Sequence, residues 1–229
     1  KYNNNFFQIL VDPFNSSSKD KNIIRKGLWS SKCIKKFYIL KNRPQSSSMY
    51  EPDEESLAFY DLKDKNFDLF KVSETKMIEC DTLASSLKEL EINYLDYLKI
   101  DTQGAEFEIL KGLENYRPLM IKCETQVFPM YKEQPKWIEI VKLLYELDYI
   151  LIDWKKIGPH ATRTPVEMDM IFIPSFKSSA GKKLILKKEK QFISLMLMTG
   201  QLKLLQKISK FLSLNESNNF MHIEDKFFN

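Results

Sequence analysis

The middle of the chain shows two hydrophobic periods, one typical of helices and one typical of strands. Apolar residues spaced three or four apart predict helices over residues 82–90, 104–112 and 136–147. Short apolar runs predict strands over residues 94–100 and 118–123, each followed by an acidic residue. Because strands alternate with helices here, we expect right-handed crossovers and a mostly parallel sheet with helices on its faces.

Strands are also predicted near the N-terminal end, within residues 6–40, and after residue 148. The apolar run at residues 6–11 predicts a fully buried strand, because both of its faces are apolar. Short strands are also predicted at residues 23–29 and 36–40. The strands at residues 149–153 and 168–173 have no helix between them, so we expect them to form an antiparallel pair at one edge of the sheet.

The C-terminal part is basic and amphipathic. Residues 182–212 predict two helices that break at Thr199 and Gly200. Residues 177–212 hold nine Lys and one acid, a charge of +8, whereas the whole chain carries +4 and the remainder therefore −4. Either these helices pack on the domain or on a second copy in a homodimer, or they lie on an anionic membrane surface. We divide the chain into an α/β domain at 1–176, a basic helical extension at 177–213 and a polar tail at 214–229.

Composition narrows the class of protein. With 43% hydrophobic and 13% aromatic residues, the chain is too apolar to be disordered. Its basic residues are concentrated in one segment, so we expect no nucleic-acid partner. The three cysteines form no CxxC pair, so we expect neither a disulfide framework nor a zinc site with cysteine ligands. We find no leader-like start and no apolar run of about 20 residues, and we expect a reducing, cytoplasmic compartment.

Three carboxylates follow predicted strands directly. They are Asp12, Asp101 and Glu124. Ligands of open parallel sheets bind at the carboxyl ends of the strands, so these side chains are candidates for catalysis or cofactor binding. The alternative is that each is a solvated loop residue or, for Asp101, the N-cap of the helix that follows.

A longer pattern surrounds two of these acids. The segment LKIDTQGAEFEILKG spans residues 98–112, and a strand ending in Glu124 comes next. Together they resemble the FkbM-like family of S-adenosylmethionine-dependent methyltransferases. Other segments resemble that family too: VDP at 11–13, GLWS at 27–30, SSSMYEPD at 46–53, Tyr131 with Gln134, and Asp169 with Phe172. The resemblance covers roughly residues 8–174.

The resemblance implies a Rossmann-like class I methyltransferase sheet and a methyl transfer from S-adenosylmethionine. The acceptor would be a hydroxyl of a sugar or of another small or glycosylated molecule. In this interpretation Asp12 binds the ribose of the cofactor and Trp29 lies near its adenine. Asp101 contacts the cofactor or the acceptor and is the first candidate catalytic residue, and Glu124 is the second. The alternative for Trp29 is an ordinary core aromatic residue.

The chain also departs from the family. Family members carry a glycine-rich loop after their first strand, where missing side chains let backbone approach the cofactor. Gly27 is the first glycine here, so we expect an N-terminally incomplete sheet that starts at about the second strand. Either the chain is a fragment, or it is a natural remnant that no longer binds cofactor.

Two other functions therefore stay open. A relative without the cofactor loop would serve as a non-catalytic binding or interaction module. A third hypothesis is a metal-dependent phosphoester enzyme that uses Asp101, Glu106 and Glu124 as oxygen ligands. Glu106 lies on the helix after the motif loop, and the alternative is that it serves the geometry of that loop.

Overall fold

The computed structural model describes residues 7–14, 22–157 and 167–215. Strands and helices alternate in part of the chain, and a short 3-10 turn covers Pro44–Ser46. The strands are β1 Leu10–Val11, β2 Ile23–Ile24, β3 Gly27–Leu28, β4 Cys33–Leu40, β5 Val72–Asp81, β6 Tyr97–Ile100, β7 Met120–Gln126, β8 Tyr149–Ile157 and β9 Glu167–Pro174. The helices are α1 Glu54–Phe59, α2 Leu83–Glu89, α3 Glu106–Lys111, α4 Trp137–Glu146, α5 Ser179–Lys187, α6 Glu189–Met198 and α7 Leu202–Leu212.

The described strands form three sheets of mixed pairing. The orders are β1-β2, β3-β5-β4 and β6-β7-β9-β8. The pairs β1-β2, β3-β5 and β6-β7 are parallel, and the pairs β4-β5, β7-β9 and β8-β9 are antiparallel. The protein is thus an α/β protein, but the prediction of a mostly parallel, Rossmann-like sheet is not confirmed. The long antiparallel pairing of β4 with β5 is the main reason, because it adds a hairpin-like sheet beside the parallel pairs.

The four-stranded sheet has one face that changes from apolar to polar along its strands. On β7 and β9, Met120 and Ile173 pack beneath α5, α6 and α7 in one core cluster. Further along the same face, the side chains are Lys122 and Glu124 on β7 and Asp169 on β9, since alternate residues share a face. On β7 and β9 the opposite face is apolar except for the buried Thr125, and it packs in the main core with α2, α3 and α4. The polar half of the first face is where the candidate site lies.

The C-terminal helices bury their apolar sides within the same chain. Phe192, Met196 and Leu205 are all fully buried, in one cluster with the sheet. The predicted break at Thr199 and Gly200 is confirmed, and Gly200 has a φ of +74° there. A second break, at Lys188 between α5 and α6, was not predicted. Of the helices described, none is both long and apolar enough to cross a membrane.

The prediction of a buried strand at residues 6–11 is wrong for the part that the structure describes. Only Leu10–Val11 is a strand, and these side chains are 51% and 44% exposed. Strand β1 pairs with β2 alone among the described strands, so its two faces are not enclosed between layers. The predicted antiparallel pair is confirmed as β8 and β9, with β8 at the edge.

Candidate active site

Three strands bring carboxylates into one row across the sheet. Glu124 on β7 is the direct neighbour of Asp169 on β9. On the other side, Ile100 of β6 pairs with Cys123, so Asp101, which comes next, continues the register beside Glu124. We call Asp101, Glu124 and Asp169 the acidic row. Direct cross-strand neighbours have Cβ atoms about 5 Å apart, so like charges in such a row repel one another.

Two lysines neutralise the outer members of the acidic row. Lys99 Nζ lies 3.1 Å from Asp101 Oδ2, and Lys122 Nζ lies 2.8 Å from Asp169 Oδ2. Lys99 and Lys122 are themselves cross-strand neighbours, one position before the row on the same face. Among the described residues Glu124 has no ion pair. The central carboxylate is therefore the one whose charge is least compensated.

This arrangement shifts the proton affinity of Glu124. Burial raises its pKa, and the negative charges of Asp101, Glu167 and Asp169 raise it further. Lys99 acts in the opposite direction, and the resulting pKa is about 7. A carboxylate with a pKa near the working pH is suited to accept a proton from a substrate.

Glu106 fixes the loop that carries Asp101 through hydrogen bonds to its carboxylate. That carboxylate is buried and accepts hydrogen bonds from the Thr102 N–H at 3.1 Å, the Thr102 hydroxyl at 3.0 Å and the Gly104 N–H at 3.0 Å. Burial raises the pKa of Glu106, and the bonds from Gly104 and Thr102 oppose that rise. Gln103 and Gly104 both have a positive φ, at +55° and +110°. Glu106 thus fixes a strained turn beside the acidic row.

This use of Glu106 bears on the hypothesis of a metal-dependent enzyme. Its oxygens bind backbone and hydroxyl donors of the loop and do not converge with Asp101 and Glu124. In the part of the chain that the structure describes, no group of three His, Cys, Asp or Glu side chains could hold a metal ion.

The helix α3 takes Ala105 as its N-cap, so Asp101 is not the cap of that helix.

Buried amides extend the site behind the turn. Gln103 Oε1 accepts hydrogen bonds from Gln126 Nε2 at 3.4 Å and from the Tyr131 hydroxyl at 3.2 Å. Gln126 Oε1 accepts a further bond from Gln134 Nε2. The Ser48 hydroxyl donates to the backbone carbonyl of Gln103 at 2.6 Å. These bonds fix the Gln103 side chain and backbone, and therefore also the position of Asp101 two residues earlier.

Some oxygens around the site have no hydrogen-bond partner. In the described part of the chain, these buried acceptors include Glu167 Oε1, Asp169 Oδ1 and Gln134 Oε1. Glu167 is only 7% exposed, and it is the cross-strand neighbour of Gln126, one row beyond Glu124. An unsatisfied buried acceptor costs free energy, and a ligand that supplies N–H or O–H groups would remove that cost. The site therefore fits a ligand rich in donors or positive charge.

The structure brings two of the four predicted site residues together. Asp101 and Glu124 are neighbours, whereas Asp12 lies at the end of β1 and accepts a hydrogen bond from the Phe14 N–H at 2.9 Å. Trp29 is 8% exposed in the main core, with its ring 5.7 Å from that of Tyr50. The cofactor-binding roles of Asp12 and Trp29 stay predictions.

Two site residues were missed by the sequence analysis as candidates. Asp169 entered only as a letter of the family pattern, and Glu167 did not enter at all. Their signal was the alternation in EMDMIF at residues 167–172, where the two acids share one face of a strand. Only the pairing of β9 with β7 shows that this face meets Glu124 and Gln126.

The fold and the site define an α/β protein with an acidic site at the carboxyl ends of two parallel strands. Many group-transfer enzymes also have their site at this place in the fold. A family model, described as the methyltransferase FkbM domain, matches residues 18–151, more than half of the chain. The chain belongs to this family of methyltransferases. A search of curated proteins and a search of solved structures found no match. The matched segment contains Trp29, Asp101 and Glu124.

Proposed function

We propose that the protein transfers a methyl group from S-adenosylmethionine to a hydroxyl oxygen, with Glu124 as the general base. Membership of the FkbM methyltransferase family supports the reaction class. The observation that carries the role of Glu124 is its place in the centre of the acidic row without an ion pair among the described residues, where burial and the neighbouring acids raise its pKa to about 7. A hydroxyl must lose its proton as its oxygen attacks, and a half-ionised carboxylate at neutral pH can accept that proton.

The residues of the site fit this cofactor chemically. The carboxylate of Asp101 and the unpartnered Gln134 Oε1 are acceptors, and S-adenosylmethionine brings a sulfonium, an ammonium group and ribose hydroxyls. When bound, it supplies an electrophilic methyl group with a good leaving group. Asp101 would hold the cofactor, and Asp12 and Trp29 would contact its ribose and adenine.

The chain's own residues supply orientation and proton transfer. The hydrogen bonds to Glu106 and to Gln103 hold Asp101 in place. A group bound to Asp101 therefore has little freedom to move. Glu124 accepts the hydroxyl proton at a carboxylate oxygen. It must be ionised to do so, so the transfer rate should rise about tenfold per pH unit below 7 and level off above.

For the acceptor we propose a polyhydroxylated molecule such as a sugar or a glycosylated compound. The support is the surplus of acceptor atoms close to Glu124, since Glu167 Oε1 and Asp169 Oδ1 can each bind a hydroxyl donor. An apolar acceptor would leave both of these buried atoms unsatisfied.

Calorimetric titration with S-adenosylhomocysteine tests the proposal without knowledge of the acceptor. We expect saturable one-to-one binding by the parent protein and a loss of at least tenfold in affinity for Asp101→Asn, about 1.4 kcal/mol for one charge-assisted contact. Glu146→Gln is the control, because Glu146 is exposed on α4, on the other side of the sheet. Absence of binding by the parent, or equal affinity in all three proteins, would contradict the proposal.

A further inference from the structure

Helix α7 carries a row of lysines on its solvent side. Residues three or four apart share one face of a helix. The exposed residues on this face are Lys203, Lys207, Lys210 and the adjoining Phe211. We call them the basic stripe. Leu205 and Ile208 are buried on the opposite side, in the cluster that joins α7 to the sheet. The stripe is therefore fixed in orientation by the packing beneath it.

Among the described residues, no acidic side chain pairs with the basic stripe. The sequence contains no Asp or Glu between Lys190 and Asn215. In residues 7–14, 22–157 and 167–215, Lys203, Lys207 and Lys210 make no ion pair. Lys188 of the preceding helix pair, by contrast, forms an ion pair with Asp96 at 2.6 Å. The charge of the stripe is thus available to an external anion.

An aromatic ring lies at one side of the stripe. Phe211 is 57% exposed, although its ring touches that of Phe176 at 5.8 Å between centroids. Lys182 of α5 places its Nζ 5.0 Å from the same ring and brings a fourth cation to this surface. A partner that covers the stripe therefore meets cations beside an apolar ring.

We propose that the basic stripe docks the protein on the surface of an anionic lipid bilayer. Lysines near such a surface are attracted by its negative potential, and an exposed aromatic ring gains by entering the interface. The bilayer interface offers both an anionic and an apolar environment, whereas the outside of a nucleic-acid duplex offers phosphates but no apolar layer for Phe211. Since Leu205 and Ile208 stay packed in the protein, α7 would lie flat on the membrane. The proposal does not depend on the proposed methyl transfer.

Co-sedimentation of the full chain with vesicles tests this proposal. The probes are vesicles of phosphatidylcholine alone and of phosphatidylcholine with phosphatidylserine, at low and high salt. We expect binding only to the anionic vesicles, weakened by salt. Lys203→Gln/Lys207→Gln/Lys210→Gln should lower the partition coefficient on the order of 100-fold, from about fivefold per lysine.

A charge-matched control separates the stripe from net charge. Lys41→Gln/Lys65→Gln/Lys71→Gln removes three exposed lysines from another surface and should bind like the parent. Phe211→Ala should weaken binding less than the triple change in the stripe. Circular dichroism of each variant confirms that the fold is retained. The proposal is overturned if the parent does not sediment with anionic vesicles, if both triple variants lose binding equally, or if only a duplex oligonucleotide binds the stripe.

Discussion

Removal of the charge at Glu124 should stabilise the protein at high pH. Burial and the neighbouring acids raise its pKa from 4.5 to about 7, so the folded protein binds this proton more tightly than the unfolded chain does. The contribution to stability is fully present below about pH 4.5 and is lost as the pH rises through 7. One pKa unit corresponds to about 1.4 kcal/mol, which sets a ceiling of roughly 3 kcal/mol. Because Glu124 is only half-buried, we expect about 1 to 2 kcal/mol.

Urea unfolding of the parent and of Glu124→Gln at several pH values measures this effect. The difference in the free energy of unfolding should be small at pH 4.5 and should reach about 1 to 2 kcal/mol in favour of Glu124→Gln at pH 8. Titrating groups away from the acidic row contribute equally to both proteins, so the difference reports Glu124 together with its coupling to Asp101, Glu167 and Asp169. The sign is unusual, since most substitutions in a folded protein destabilise it.

The control for this measurement is Glu146→Gln, which removes one exposed carboxylate on α4. It corrects for the general loss of one negative charge. If Glu124→Gln shows no more stabilisation at pH 8 than Glu146→Gln, then the charge of Glu124 does not destabilise the folded protein. In that case the pKa argument for a general base fails as well.

Two further substitutions test the packing around the site, and urea unfolding measures both. Glu106→Gln leaves an amide facing the Thr102 and Gly104 N–H groups, so we expect a loss of about 1 to 3 kcal/mol in stability. An unchanged midpoint would contradict the role of Glu106 in fixing the loop. Gly112→Ala would place its Cβ 2.7 Å from the backbone oxygen of Trp29, so the end of α3 must shift at a cost of about 1 to 3 kcal/mol; an unchanged midpoint would contradict this close packing.

The order of elements around the site could be predicted, since periodicity is local. The helices α2, α3 and α4 begin and end within a few residues of their predicted bounds. The pairing could not be predicted in the same way. Which strands become neighbours depends on contacts far apart in sequence, as between Cys33 and Cys80 on β4 and β5. For this reason the mixed character of the sheets was missed.

The site shows the same division. Asp101 and Glu124 could be placed together, because they belong to neighbouring parallel strands whose carboxyl ends meet; the prediction that Glu124 follows its strand was wrong, since β7 continues to Gln126. Asp169 and Glu167 reach the site through the antiparallel strand β9, whose register no local pattern determines. For Glu106 the sequence left two roles open, and the hydrogen bonds from the Thr102 and Gly104 N–H groups show that it serves the geometry of the loop.

A carbon-13 NMR titration of the glutamate side-chain carboxyls tests the central claim most directly. The resonance missing from the spectrum of Glu124→Gln identifies Glu124 in the parent. We expect its chemical shift to change with a midpoint near pH 7, which would place a half-ionised carboxylate at the centre of the acidic row. A midpoint near 4.5 would show that Glu124 is an ordinary surface carboxylate, and it would contradict its role as the general base.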